Sequence, residues 1–161
     1  MSSFNRRSFL LAPLALAACG FEPALAPGGA GAILRSQIHP RDPKERAEFL
    51  FVRAFEERMG DGAGGAYAMD YQIVVKRTGL AITPAQETTR FNLIGNLAFT
   101  ISDRNGAVLT KGSVENFTSY SATGTNVASL TAERAARARL VTILTDQLIT
   151  RLTATSGGWA R

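Results

Sequence analysis

Two side chains in this sequence have the chemistry of a strong nucleophile or a neutral-pH base, Cys19 and His39, and each type occurs once. A thiol and an imidazole can form a catalytic pair, but His39 lies beside Pro40 in a turn-rich junction, and no further Cys or His exists to build a zinc site. The acids are scattered: Asp70 is expected on the outer side of a strand, Asp103 at a hairpin and Asp146 on a helix. None is spaced for paired acid–base work. The expectation is a protein that is not an enzyme and that uses no metal and no cofactor. Two kinds of chemistry remain. Cys19 can carry a lipid. Lys76, Arg90 and Lys111, expected on one face of a sheet, can meet an anionic ligand.

The surroundings of Cys19 define its role. Arg6 and Arg7 come first, with no acid near them, and Phe9 to Ala18 then carry no charge. A basic start, a short apolar run and small residues at its end make an export signal. The run is too short to span a bilayer, which takes about 20 apolar residues. Leu16-Ala17-Ala18-Cys19 resembles the lipobox of bacterial lipoproteins. In those proteins the sulfur receives a diacylglycerol, the chain is cut before the Cys, and the new amine is acylated. A single acyl chain holds a membrane marginally, whereas two or more anchor stably. Gly20 rather than Asp follows the Cys, a pattern that in lipoproteins implies onward transport to the outer membrane. An alternative cleavage site, Ala24-Leu25-Ala26, would release a soluble chain from Pro27 and leave Cys19 without a role. Arg6-Arg7-Ser8-Phe9-Leu10 resembles a twin-arginine signal, but general export signals also begin with arginines, and both routes stay open.

The elements that must position these groups follow from periodicity. Residues 1–18 read as the cleaved signal, 19–32 as the lipidated Cys and a flexible tether, 33–155 as the domain and 156–161 as a disordered tail. The mature charge balance is 16 basic against 13 acidic residues, which gives no electrostatic case for a nucleic-acid partner. Ile33–Ile38 is a short possible strand. Asp42 with Pro43 reads as a helix start, and Ala47, Phe51, Phe55 and Met59 form the apolar stripe of a helix to about Met59. Gly60 to Gly65 reads as a cap and loop, since it follows a helix and lacks the Gly-Lys-Ser/Thr of a phosphate cradle.

Tyr67, Met69, Tyr71, Ile73 and Val75 then alternate as a half-buried strand, followed by a turn around Thr78 to Gln86. Phe91, Leu93, Gly95, Leu97, Phe99 and Ile101 alternate most clearly of all. Asn105-Gly106 marks a hairpin. A two-residue loop there sets Leu97 opposite Val114 and turns Val108, Thr110, Gly112, Val114 and Tyr120 inward. A helix from about Ser129 to Thr153, capped by Ser129 or Thr131, completes the chain, with Val141, Leu144, Leu148 and Leu152 as its stripe and Glu133 four residues before Arg137. The fold class is α+β: a two-layer sandwich of two helices on an approximately four-stranded, mostly antiparallel sheet, in the order β-α-β-β-β-α. On its outer face Lys76, Arg90 and Lys111 lie with Ile94 and Phe117, a mixture that suits an amphiphilic anion or a protein partner. An ordinary solvated face with snorkelling side chains is the plainer reading.

Cys19-Gly20-Phe21-Glu22-Pro23, Thr89-Arg90 opening a long strand, Ser119-Tyr120 closing the last, and Ala132-Glu133-Arg134-Ala135-Ala136 in a final helix ending Asp146 to Leu152 together resemble the LptE family of lipopolysaccharide-assembly lipoproteins. The family often continues Pro-Leu-Tyr where this chain reads Ala24-Leu25-Ala26. The resemblance implies an outer-membrane lipoprotein, lipid-anchored and facing the periplasm, that plugs the LptD β-barrel, assists its assembly and helps deliver lipopolysaccharide to the outer leaflet. By that analogy Lys76, Arg90 and Lys111 would contact the anionic sugar-phosphate part. A lipid-anchored adaptor of another envelope complex is the alternative.

Overall fold

The computed structural model describes residues 31–82 and 88–160, the side chains of 81, 82 and 88 aside. Four strands form one sheet in the order β1 (Ile38–Pro40), β2 (Tyr67–Ile82), β3 (Thr88–Asp103) and β4 (Val108–Ser121). β1 runs parallel to β2; β2, β3 and β4 form an antiparallel meander. Two helices, α1 (Arg46–Met59) and α2 (Asn126–Thr155), cover one face. The element order and the two layers are those expected from the sequence.

The core lies between the layers. From α1 come Phe51, Phe55 and Met59; from α2, Leu140, Leu144, Leu148 and Leu152; from the sheet, Met69, Leu93, Leu97 and Ile101, all essentially without solvent exposure. Burying a side chain of this size stabilises the fold by about 1.5–3 kcal/mol. Gly95 lets α2 come close: a Cβ there would stand 2.9 Å from Leu144 Cδ1 and 3.0 Å from a Leu140 methyl. Gly62 and Gly65 do the same for β1, since a Cβ at either would collide with the backbone of Ile38 or Gln37.

The boundaries differ from the periodicity reading in five places. β1 begins only at Ile38, after turns through residues 31–37, and Leu34 of that turn region is fully buried. α1 starts at Arg46 with Glu45 rather than Asp42 at the cap position, and Glu48 Oε2 accepts the N–H of Lys44 at 2.7 Å. β2 continues through the expected turn, because Thr78 and Gly79 keep pairing with Asn92 and Phe91. α2 starts at Asn126, capped by Thr125, whose Oγ1 accepts the N–H of Ala128 at 3.2 Å, not by Ser129 or Thr131.

The fifth difference is the tail. Residues 156–161 were expected to be disordered. Instead a 3-10 turn at Ser156–Gly158 folds Trp159 back onto Tyr67, ring centroids 5.4 Å apart, and Trp159 Nε1 donates to Thr155 Oγ1.

The β3–β4 hairpin reaches the expected register by an unexpected route. Leu97 does pair with Val114. The loop, however, has three residues: the Asp103 N–H donates to the Ala107 carbonyl, and Gly106 takes φ +83°. That alone would slip the ladder by one. An extra residue at Leu109, between the pairs Ile101–Thr110 and Ser102–Val108, restores it. The correction falls on Val108, which is exposed, while Leu109 packs on the core in its place.

Candidate functional site on the outer sheet face

The face of the sheet away from the helices carries the residues singled out for ligand contact. The pairings place Lys76, Ile94 and Phe117 in one row across β2, β3 and β4, with Val74 in the next row. Phe117 is 63% exposed, and Ile94 and Val74 are exposed beside it. Lys76 has no carboxylate at ion-pair distance among the described residues. This row therefore offers a free ammonium next to open apolar surface.

The three cations share the face but not one site. Arg90 pairs with Ser121, four residues along β3 from Ile94, or about 13 Å at strand rise. Its guanidinium reaches Ser119 Oγ at 3.4 Å. Lys111 pairs with Thr100, six residues from Ile94 in the opposite direction, about 20 Å away. A single phosphate cannot bridge that span. Lys76 ends the apolar row on β2, Arg90 stands about 13 Å from it along β3, and Lys111 lies farther off in the other direction. Cys19, the export signal and nearly all of the tether lie outside the described residues, and His39 is exposed on β1. No helix among the described residues is long and apolar enough to cross a membrane.

Two arginine-centred clusters were not foreseen as units. In the first, the Arg41 guanidinium meets Glu48 at 2.9 Å and Asp70 at 3.0 Å, stands 4.6 Å from the Tyr71 ring centre and donates to the Tyr71 carbonyl. The Tyr71 hydroxyl donates back to the Arg41 carbonyl at 3.0 Å. Arg41 holds the Glu48 carboxyl below the usual carboxylate range, and Glu48 in turn raises the guanidinium further. Burial pushes the Tyr71 phenol up to about 12.

In the second cluster Glu133 of α2 accepts from Arg137 at 2.8 Å, from the Tyr120 hydroxyl at 3.0 Å and from Arg77 at 3.4 Å, while Arg77 lies over the Phe91 ring. Arg137 holds the Glu133 carboxyl low. The Glu133–Arg137 pair was legible from its spacing; the sheet residues that join it were not. Arg58 and Asp146 add a 2.6 Å bridge between the helices. These carboxylates are consumed by structural pairing. Among the arginines of α2, Arg137 turns to Glu133, and Arg139 to Thr118 and the Ser119 carbonyl.

Comparison with known proteins places this geometry. A family model described as LptE, lipopolysaccharide-assembly, matches residues 35–152. No curated protein matches the chain by sequence. Among solved structures, a Caulobacter crescentus CB15 protein superposes with a TM-score of 0.67 at 19% identity, covering 80% of this chain and 96% of its own. The rare lipoprotein B of Shewanella oneidensis gives 0.58 at 13% identity, over 75% and 95% of the two chains. A minor lipoprotein of Acinetobacter baumannii gives 0.53 at 16%, over 73% and 89%. At these identities the structures speak for the fold, and the family model for the family.

Proposed function

Because the chain belongs to the LptE family of lipopolysaccharide-assembly proteins, we propose that it is an outer-membrane lipoprotein that assists assembly of an LptD-like β-barrel, sits in that barrel as a plug, and contacts lipopolysaccharide with the outer face of its sheet. The observation that carries the reading is the family match across 118 residues, which runs from before β1 through the whole sheet and into the last turn of α2. In this reading Cys19 is the lipid attachment point, and acylation there holds the domain at the periplasmic side of the outer membrane. The role is binding and assembly, not catalysis, consistent with Glu48 and Glu133 each being engaged by arginine.

Lys76 and Arg90 are the better candidates for the anionic sugar-phosphate part. Lys76 lies in the Ile94–Phe117 row, Arg90 stands nearer to it along the sheet than Lys111 does, and acyl or other apolar surface can rest on that row. Lys111 belongs to the same face and would meet a separate anionic group.

The test is a mild-detergent pull-down of the full chain from its native membrane, with copurifying proteins identified by mass. A large outer-membrane barrel in one-to-one amount is expected; its absence sinks the plug reading. Lys76→Glu should weaken lipopolysaccharide binding by the purified protein roughly tenfold with unchanged circular dichroism, since about 1.4 kcal/mol is a reasonable cost for reversing one charge beside a bound phosphate. Undiminished binding would remove the outer face as the ligand site.

A further inference from the structure

β4 is the last strand of the sheet, and its outward edge is only partly covered. The carbonyls of Ser113 and Ser119 accept Arg151 Nη1 at 2.8 Å and Arg139 Nη2 at 3.4 Å, and the Phe117 N–H donates to Asn116 Oδ1 at 2.7 Å. Odd-numbered positions thus turn their backbone away from β3. Alternation along an antiparallel strand puts both backbone groups of Glu115 on the same edge. Among the described residues nothing meets them, nor the Phe117 carbonyl. A gap of unpaired edge lies between two arginines from α2.

Grooves flank this gap on both faces. On the helix side a cavity of about 550 Å³ sets Val114, Ile143 and Ala154 beside the polar Glu115, Asp146 and Gln147. On the outer side a cavity of about 360 Å³ is lined by Ile94 and Phe117 together with Asn92, Glu115 and Asn116. Each is lined in part by a carboxamide side chain, Gln147 in the first and Asn92 in the second.

We propose that the Val114–Phe117 edge of β4 is a strand-addition site that takes an extended segment of a partner protein, aliphatic and Ser/Thr side chains alternating along it and an acidic residue near each end. Main-chain pairing would use the Glu115 and Phe117 groups. Successive side chains of the incoming strand fall alternately into the two grooves, one taking the aliphatic side chains and the other the hydroxyls, since each groove pairs apolar side chains with a carboxamide. The acids answer Arg139 and Arg151, which have no carboxylate partner among the described residues and stand six residues apart along β4, about 20 Å. A second copy of this chain fits poorly. Antiparallel pairing of two β4 edges about Glu115 would set two carboxylates directly opposite each other, a destabilising arrangement. The proposal rests on the β4 edge and its grooves; it shares Ile94 and Phe117 with the lipopolysaccharide reading but needs neither Lys76 nor Arg90.

The test uses the full chain in mild detergent and a fluorescein-labelled peptide, Asp-Val-Thr-Val-Thr-Val-Asp, followed by anisotropy. Binding is expected. Glu115→Pro should weaken it at least tenfold, because proline removes an outward N–H and leaves the ladder to β3 intact. Two further peptides, N-methylated at alternate residues in one phase or the other, read strand pairing on the unaltered chain whether or not that variant folds. One phase should abolish binding and the other should tolerate it. No binding of the parent peptide, or equal binding of all three, overturns the proposal. So does a dimer in sedimentation that Glu115→Pro splits, since the edge would then belong to a second copy.

Discussion

Arg41 joins three elements through one guanidinium: it follows β1, bonds Glu48 on α1, and meets Asp70, the Tyr71 ring and the Tyr71 carbonyl on β2. The Asp70 carboxylate is largely exposed, so that contact adds little. The Glu48 contact is better shielded. Its lowered carboxyl gives a contribution that is complete above the ordinary glutamate range and is lost as pH falls through the folded value. Tyr71 acts at the other limit. Its raised phenol contributes stability that is complete below the ordinary tyrosine value of about 10 and declines as pH rises toward about 12. Tyr71→Phe should cost about 1 kcal/mol at neutral pH, for one lost hydrogen bond, and should flatten the decline between pH 10 and 12 in urea titrations. A decline of unchanged slope would assign it to another group. Nothing in the sequence announces this cluster, because its partners stand 7, 29 and 30 residues from Arg41 and meet only through the fold.

At the scale of elements, the returning tail is the feature that can be weighed most directly. Trp159 is 9% exposed and packs edge-on against Tyr67. Trp159→Ala should destabilise the domain by about 3 kcal/mol in chemical denaturation; a loss below about 0.5 kcal/mol would show the contact to be incidental. The tail was illegible because one aromatic after Gly157-Gly158 has no period. The strands were legible because alternation needs only local parity, and β3 shows it through Phe91, Leu93, Leu97, Phe99 and Ile101. The β3–β4 register was legible for an incomplete reason. Burial demanded Leu97 opposite Val114, and the chain met the demand with a three-residue loop and a compensating bulge rather than with the shortest turn. The same limit holds for the candidate site: parity put Lys76, Arg90 and Lys111 on one face, but their separation depends on pairing, which parity does not contain.

At the scale of the molecule, the domain and its proposed anchor are separable. Cys19→Ala should leave the fold unchanged by circular dichroism and move the protein from the membrane fraction to the soluble one. Retention in the membrane without a barrel partner would contradict anchoring at Cys19. The sheet presents two surfaces of different character: an outer face with cations beside apolar rows, and an edge on β4 between two arginines. One suits an amphiphile and the other a polypeptide, and both sides of α2 remain committed to the core and to the β4 edge.

The parallel pairing of β1 has a consequence in time. The meander closes over short stretches of chain, whereas Ile38 must wait for Tyr67, 29 residues later, with α1 placed between them. Loop closure over that distance is slower than hairpin closure, so β1 is expected to dock last. Pulse-labelled hydrogen exchange would then protect the Tyr67 amide, which bonds Gln37, and the Arg41 amide, which bonds Met69, after those of the β3–β4 ladder; simultaneous protection would refute the order. Late docking keeps Leu34 and Ile38, both buried in the finished core, among the last of its residues to leave water.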